Sequence, residues 1–388
     1  MRILYAHRTR SADGQRVHID ALTKALTAQG HEVLLVGPDG ARSPGDAPAR
    51  LDATEGEGGV RDALPRFAHE AMEGGYSGWE AMRLRAVARC FAPDFVYERY
   101  NLFAHGVHAA RLKDTPWLLE VNAPLAFERA THGGLSLRRL ARRSEGALWR
   151  AADAVLPVTD VLGGLIQDRG VPADRIHTIP NGVDERFLAP PAGRSVRERY
   201  GLGDALILGF TGFVRDWHGV EAALRWLPRR EGAALMLVGD GPHVPVLREE
   251  AGRLGVSDRL IVTGVVQRDA VPAHVAAFDV ALQPAATRYA SPLKLQEYMA
   301  QGRAILACDQ PNIREVVTNG EDAVLFPPGD EAAMHAALSA LAADSARRDR
   351  LGAAARRTVE ARDLTWTGNA RRVTQIAEQL IGARRDEA

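Results

Sequence analysis

The sequence alternates short apolar runs with segments of helix length, and this alternation occurs in two successive sets. The runs of the first set are residues 2–6, 33–36, 95–97, 117–121 and 154–158. Those of the second set are residues 206–210, 234–238, 260–262, 280–282 and 304–307. Short apolar runs separated by helices are typical of parallel strands buried on both faces. The pattern therefore predicts an α/β protein with two Rossmann-like, doubly wound domains.

The length of 388 residues is sufficient for two hydrophobic cores of this kind. We expect the first domain to occupy residues 1–185 and the second to occupy residues 201–362. Residues 186–200 contain Pro and Gly residues that interrupt regular structure, and we interpret them as a linker able to act as a hinge. The two domains would then face each other across a cleft, which is the default place for a ligand.

Composition narrows the class of partner. Basic and acidic residues balance at 49 each, so no net field favours nucleic acid or a membrane, and a small molecule is expected instead. Two cysteines, Cys90 and Cys308, are too few for a disulfide framework. No apolar run reaches the roughly 18 residues that span a bilayer, and the first residues do not resemble a signal peptide. These features predict a cytoplasmic protein without an integral membrane segment.

The most informative stretch is the helix start Ser291, Pro292, Leu293 and Lys294. Ser at the N-cap and Pro at the first helical position leave the next two amides pointing out of the positive end of the helix, where a phosphate can bind. Glu297 lies one turn later, and its side chain leans back toward the same end. One helix could thus hold a diphosphate and a ribose. The alternative is an ordinary capped helix with a solvated Lys and Glu.

Four stretches of the sequence resemble retaining, metal-independent family-four glycosyltransferases of the GT-B fold, also called group 1. They are residues 171–187, 237–242, 259–266 and 291–302, and the last has the Ser-Pro-Leu-Lys donor motif of one subset. The likeness in the first domain is weaker and depends on Gly14, residues 30–31 and residues 120–124.

The resemblance implies a hexosyltransferase that moves a sugar from a nucleotide diphosphate donor to an acceptor hydroxyl. No cofactor is implied, and the products would be polysaccharides, glycolipids or natural products. The first domain would bind the acceptor and the second the donor. Residues 363–388 would form a helix that crosses back to the first domain.

The resemblance also implies site residues. Donor contacts are expected from Gly14, Arg215, Gly239, Gly264, Val265, Ser291, Pro292, Leu293, Lys294 and Glu297. In this set Lys294 would bind the diphosphate and Glu297 the ribose. The residues expected at the reacting centre are His218, Lys294, Glu297 and Asn122.

Several positions depart from the family pattern. Tyr289 replaces a glutamate near the transferred sugar, and Phe213 and His218 replace an arginine and a lysine that neutralise the diphosphate. We expect His218 to donate a hydrogen bond to phosphate, with Arg215 and Lys294 supplying positive charge. Packing beside the neighbouring tryptophan is the alternative role of His218.

Polar residues of the first domain are candidates for sugar contacts. Asn122 stands where family members often have a histidine, and it can bind a hydroxyl but cannot act as an acid or base at neutral pH. His7 and His18 are candidates for acceptor contact, although a structural role is the more common one for such residues.

The sequence contains no Asp-x-Asp triplet and no His, Cys, Asp or Glu cluster with metal-ligand spacing. Metal-dependent sugar transfer is therefore not expected, and amides, a helix dipole and basic side chains would stabilise the leaving group. Two alternatives remain open: an epimerase or phosphorylase on the same fold, and a non-catalytic nucleotide-sugar-binding protein. An oxidoreductase is disfavoured, because no Gly-x-Gly-x-x-Gly follows the first run.

Overall fold

The computed structural model describes residues 1–9, 14–38, 40–46, 66–112, 114–131, 134–190 and 192–386. The chain forms two compact units. The first consists of Met1–Pro180 with Trp366–Ala388, and the second of Asn181–Thr365. Within the described ranges, no helix combines the length and the apolar character needed to span a bilayer.

The first unit contains a six-stranded sheet. Its strands are β1 (Arg2–Ala6), β2 (Glu32–Gly37), β3 (Gly40–Arg42), β4 (Phe95–Arg99), β5 (Trp117–Val121) and β6 (Ala154–Pro157). The order is β3-β2-β1-β4-β5-β6, and every pair is parallel except β2 with β3. The helices are α1 (Gly14–Ala28), α2 (Arg66–Phe91), α3 (Gly106–Ala110), α4 (Leu125–Thr131), α5 (Arg138–Ala151) and α6 (Asp160–Gln167).

The second unit contains a six-stranded parallel sheet. Its strands are β7 (Leu206–Thr211), β8 (Ala233–Val238), β9 (Leu260–Val262), β10 (Val280–Gln283), β11 (Ala304–Cys308) and β12 (Val324–Phe326), in the order β12-β11-β10-β7-β8-β9. Its helices are α7 (Gly193–Arg199), α8 (Glu221–Trp226), α9 (Val244–Arg253), α10 (Val271–Ala276), α11 (Leu293–Ala300), α12 (Pro311–Arg314), α13 (Glu331–Ala343) and α14 (Ser345–Ala361). The strand orders are of the Rossmann type, and the predicted doubly wound fold class is confirmed.

The last helix, α15 (Trp366–Asp386), packs on α1 and belongs to the first unit. Trp366 is buried, and its ring centroid lies 4.5 Å from that of His18. Gln29 follows α1 directly, and its Nε2 donates to the Thr367 carbonyl over 2.8 Å. At the far end of the helix, an ion pair joins Arg384 to Asp153 over 2.7 Å. These contacts fix the end of the chain to the first unit.

Residues 186–200, expected as a linker, fold instead as part of the second unit. They include most of the 3-10 turn Glu185–Leu188 and all of α7, and Phe187 and Val196 are buried. Gly193 fits closely, since a Cβ there would lie 2.4 Å from the carbonyl oxygen of Ala276. The units divide at Pro180, earlier than residue 185, because packing of this segment overrides its loop-like composition.

Candidate active site

Two loops of the second unit follow the carboxyl ends of the adjacent strands β7 and β8, and their backbones touch. The Gly212 amide donates to the Val238 carbonyl over 3.0 Å, and the Val214 amide donates to the Asp240 carbonyl over 2.8 Å. Gly239 has a φ of 143°, and a Cβ there would lie 2.2 Å from the Gly212 carbonyl oxygen. Only glycine allows this approach, so Gly239 shapes the loop beside it.

Lys294 lies on the first turn of α11, next to this pair of loops. Its Nζ is 3.8 Å from the centroid of the Phe210 ring, and a Cβ on Gly212 would be 3.4 Å from Nζ. Among the described residues, no side chain forms an ion pair or hydrogen bond with Nζ. Burial lowers the pKa of Lys294 to about 7, against an opposing effect of the Glu297 carboxylate. The ammonium is thus desolvated, and no carboxylate of the described residues pairs with it within 4 Å.

The start of α11 differs from the prediction. Pro292 holds the N-cap position without a side-chain cap, and the helix begins at Leu293. Ser291, the residue before Pro292, is buried. Its Oγ accepts hydrogen bonds from the Asn181 amide (3.2 Å) and Gln296 Nε2 (3.3 Å). The N-cap role of Ser291 was therefore wrong. Within the described ranges, the amides of Leu293 and Lys294 donate no hydrogen bond, so the helix end remains open to an anion.

His218 ends a 3-10 turn, Asp216–His218, that follows β7. Its Nδ1 accepts a hydrogen bond from the Arg215 amide over 3.0 Å, so the neutral ring carries its proton on Nε2. The ring lies 3.9 Å from Trp217 and 5.0 Å from Phe210, centroid to centroid. Burial, together with the charges of Lys294 and Arg215, lowers the pKa of His218 to about 3. His218 is therefore a neutral hydrogen-bond donor that also packs beside Trp217.

Glu297 lies one turn after Lys294. Burial raises its pKa to about 7, while the positive charges of Lys294 and Arg268 oppose this rise. Arg268 also lies 3.9 Å from Asp184. The negative charge of Asp184 adds to the rise in the pKa of Glu297. In the described part of the chain Glu297 forms no ion pair within 4 Å. A partly desolvated carboxyl group therefore stands one turn from the open helix end.

The other predicted donor residues of the second unit lie on nearby loops. Gly264 forms an isolated bridge with Gly239, and Val265 after it is 87% exposed. Arg215 is exposed, with its guanidinium 5.1 Å from the Phe213 ring. Tyr289 is buried in the segment that leads to α11. Most of the predicted donor set therefore gathers at the carboxyl ends of β7 to β9 and at the start of α11.

Two predicted residues lie in the first unit instead. Gly14 is the first residue of α1, and residues 10–13 before it lie outside the described residues. Asn122 follows β5, and its Nδ2 donates a hydrogen bond to Glu120. The structure thus does not place these two residues in the unit that carries Lys294 and Glu297.

A buried polar network lies behind Asn122, and sequence reasoning missed it. Glu120 accepts from Tyr97 Oη over 2.7 Å, pairs with Arg99 and lies 3.2 Å from His18 Nε2. Burial alone would raise the pKa of Glu120, but His18 and Arg99 hold it well below its usual range. The signal available in the sequence was a charged residue within the apolar run 117–121, Glu120, and another shortly after the run 95–97, Arg99.

His7, the other acceptor candidate, is buried after β1. Neither ring nitrogen has a hydrogen-bond partner among the described residues, and burial with the nearby charge of Arg42 lowers the pKa of His7 to about 4. A Cβ at Gly37 would lie 2.5 Å from this ring, so the glycine makes room for it. His7 therefore stays neutral over the physiological range.

The first unit also contains a cavity of about 410 Å³ that the sequence did not reveal. Its described lining residues are Arg8, Pro38, His69, Met72, Glu73, Tyr76, Asn101, Leu102 and Arg129. Arg8 pairs with Glu80 and donates to Ser77 Oγ over 2.8 Å, and Arg129 pairs with Glu73 over 2.8 Å. Each guanidinium thus has a carboxylate, and the charge of the cavity is close to balanced. Within the described residues, no group of three or more His, Cys, Asp and Glu side chains could hold a metal ion.

Two family models match the sequence. "Glycosyltransferase Family 4" matches residues 12–187, and "Glycosyl transferases group 1" matches residues 205–344. Both matched segments are therefore similar to glycosyltransferases. A curated relative is the GDP-mannose-dependent alpha-(1-6)-phosphatidylinositol monomannoside mannosyltransferase of Mycolicibacterium smegmatis, 30% identical over 242 residues. That alignment covers 58% of this chain and 63% of the relative, which is less than two thirds of its length.

Solved structures of glycosyltransferases share the fold over nearly the whole chain. Sucrose-phosphate synthase from Thermosynechococcus elongatus is similar with a TM-score of 0.76 and 21% identity, covering 99% of this chain and 100% of that one. Anabaena HepE, solved in complex with UDP, is similar with a TM-score of 0.71 and 18% identity, covering 98% and 99%. These similarities confirm the GT-B fold.

Proposed function

We propose that the chain is a metal-independent, retaining glycosyltransferase that moves a sugar from a nucleotide diphosphate to an acceptor hydroxyl, in glycolipid, natural-product or polysaccharide biosynthesis. The observation that carries the proposal is the Lys294 ammonium at the open end of α11, which has no ion-pair partner among the described residues. A desolvated cation without a counter-ion costs free energy, and an incoming diphosphate would remove that cost. The UDP complex of HepE, on the same fold, supports the choice of ligand class.

The groups near α11 would stabilise the charge that develops on the leaving diphosphate. The amides of Leu293 and Lys294 and the Nε2–H of His218 would donate hydrogen bonds, and Lys294 and Arg215 would supply positive charge. An anion would raise the pKa of Lys294 from about 7, so this residue gains its full charge as the donor binds. Glu297 would accept hydrogen bonds from the ribose hydroxyls, which favour its ionised form.

The first unit would supply the acceptor site. Its cavity of about 410 Å³ can hold a sugar-sized ligand, and the pairing of Arg8 and Arg129 with carboxylates favours a neutral, hydroxyl-rich acceptor group over a multiply charged one. Asn122, held by Glu120 through its Nδ2, would bind a sugar hydroxyl through its amide oxygen.

In the proposed reaction, the acceptor oxygen forms a bond to the anomeric carbon on the face from which the diphosphate leaves. The bond from that carbon to the phosphate oxygen breaks, and the phosphate oxygen takes the proton of the acceptor hydroxyl. No protein nucleophile is needed, and the anomeric configuration is retained. The protein contributes positioning and electrostatic stabilisation.

Turnover of nucleotide sugars tests this proposal. The purified chain is incubated in EDTA with UDP-, GDP- and dTDP-sugars, with and without neutral glycosides, and released nucleoside diphosphate and products are analysed. We expect diphosphate release in EDTA and a glycoside with the anomeric configuration of the donor. Release that requires Mn²⁺ would refute the metal-independent mechanism. An epimerised donor, a sugar phosphate formed only with inorganic phosphate, or binding without turnover would support the alternative functions instead.

A further inference from the structure

Helix α5 of the first unit carries a concentrated basic surface. Arg138, Arg139, Arg142 and Arg143 are all exposed, and in the described part of the chain none of them forms an ion pair or a hydrogen bond through its side chain. The single acidic residue of this helix, Glu145, is buried and accepts hydrogen bonds from Tyr100 Oη (2.9 Å) and the Ala126 amide (3.0 Å). The positive charge of this face is therefore not neutralised by its own helix.

Exposed apolar side chains occur on α5 and on two helices that are joined to it, α2 and α4. Leu140 of α5 is 54% exposed, Phe127 of α4 is 55% exposed, and Phe67 of α2 is 55% exposed. Hydrogen bonds hold the three helices together here: Glu145 of α5 accepts from the amide next to Phe127, and Glu70 of α2 accepts from the amides of residues 136 and 137, just before α5. We call the four arginines with these three side chains the basic–apolar surface.

We propose that the basic–apolar surface binds the interfacial layer of an anionic phospholipid bilayer. Arginines on such a face attract anionic headgroups, while neighbouring Phe and Leu side chains gain by entering the boundary between headgroups and acyl chains. The formal charge of the whole chain is zero, so the attraction comes from this local concentration and not from overall charge. Binding of a nucleic-acid duplex would involve the arginines through its phosphates, but it would leave the exposed Phe67, Phe127 and Leu140 without a binding partner. The proposal is independent of sugar transfer.

Vesicle binding by the full chain tests the proposal. Vesicles of phosphatidylcholine alone are compared with vesicles that also contain phosphatidylglycerol, by co-sedimentation at low and high salt. One variant removes the charges (R138Q/R139Q/R142Q/R143Q), and a second removes the apolar side chains (F67S/F127S/L140S). The matched control removes four exposed arginines of the second unit that form no ion pair among the described residues (R229Q/R230Q/R248Q/R350Q). Thermal unfolding checks that each variant folds. If the fourfold arginine variant does not fold, the double variant R139Q/R143Q replaces it.

We expect wild type and control to bind the phosphatidylglycerol vesicles, with weaker binding at high salt and little binding to phosphatidylcholine alone. Each arginine near an anionic surface contributes about fivefold to binding, so the fourfold variant should lose at least about tenfold, and the double variant a smaller factor. The apolar variant should also bind more weakly. Equal binding by these variants and the control, binding to an RNA or DNA duplex in preference to vesicles, or self-association that the variants abolish would each overturn the proposal. Donor turnover with soluble acceptors should be unchanged in all variants, so the two proposals fail separately.

Discussion

Replacing Lys294 with methionine should stabilise the free protein and weaken diphosphate binding at the same time. Methionine has a similar length and keeps contact with the Phe210 ring, but it removes a desolvated ammonium that has no counter-ion among the described residues. The folded state therefore loses an unfavourable charge, while the ligand loses a charge-assisted hydrogen bond. An ordinary solvated lysine would show neither effect.

The size of the stabilisation follows from the pKa of Lys294. The difference between the usual 10.5 and about 7 corresponds to at most roughly 5 kcal/mol, at about 1.4 kcal/mol per pH unit. Partial exposure and the lost contact between the ammonium and Phe210, worth about 0.5–2 kcal/mol, reduce this. We expect a net gain of about 1–3 kcal/mol below pH 7. Because the unfolded state binds the additional proton between about pH 7 and 10.5, the wild type gains stability with pH in that window, and the advantage of the variant disappears above it.

The assay combines thermal unfolding across this pH range with calorimetry of a nucleoside diphosphate and its bare nucleoside. Loss of the lysine should weaken diphosphate binding by about 1.5–3 kcal/mol, or roughly 10- to 150-fold, and leave the nucleoside almost unaffected. Lys24→Met, which removes an exposed lysine of α1, is the control and should change neither property. Diphosphate binding within about twofold of wild type, or a variant less stable than wild type below pH 7, would be inconsistent with a desolvated Lys294 that binds the diphosphate.

Three further variants test other parts of the structure. Glu297→Gln should weaken both diphosphate and nucleoside, because both carry the ribose; calorimetry that shows an effect on the diphosphate alone would contradict the ribose role. Gly239→Ala should reduce donor binding by more than about tenfold, since its Cβ would displace the Gly212 carbonyl. Gly264→Ala has open space around the new Cβ and should cost only about 1 kcal/mol of stability. Similar effects of the two variants would argue against the close approach of Gly239 to Gly212. Glu120→Gln should cost about 3–5 kcal/mol in urea unfolding by leaving Arg99 buried without a counter-charge, and a cost below about 1 kcal/mol would show that the network is not structural.

Five strands of each sheet could be predicted from the sequence, because most of them are buried on both faces, whereas β3 and β12 lie outside the predicted runs. Runs such as 117–121 and 234–238 leave few alternatives to a parallel, helix-covered strand. The Ser-Pro pair predicted the start of α11 one residue too early, at Pro292 instead of Leu293, since local chemistry largely controls helix starts. The linker was not predicted correctly, because Phe187 and Val196 are held by packing that a Pro- and Gly-rich composition does not reveal.

The parts of the candidate site that sequence did not predict depend on contacts between distant segments. Ser291 was assigned to the helix cap, but the Asn181 amide, 110 residues away in the chain, donates to its hydroxyl. The cavity of the first unit brings Arg8 near residues of α2 and α4, a convergence that no local pattern encodes. The pKa values of Lys294 and His218 arise from burial, which also follows only from the folded chain.

Thermal unfolding of the wild type and Lys294→Met with UDP, GDP, dTDP and ADP, each compared with its nucleoside, tests whether the second unit binds a nucleoside diphosphate at the start of α11. We expect at least one diphosphate to stabilise the wild type by about 2.7 kcal/mol at 100 times its dissociation constant, with a smaller effect of its nucleoside. At the same diphosphate concentration, Lys294→Met should lose most of that stabilisation. No response to any diphosphate, or an equal response of wild type and variant, would contradict the donor site.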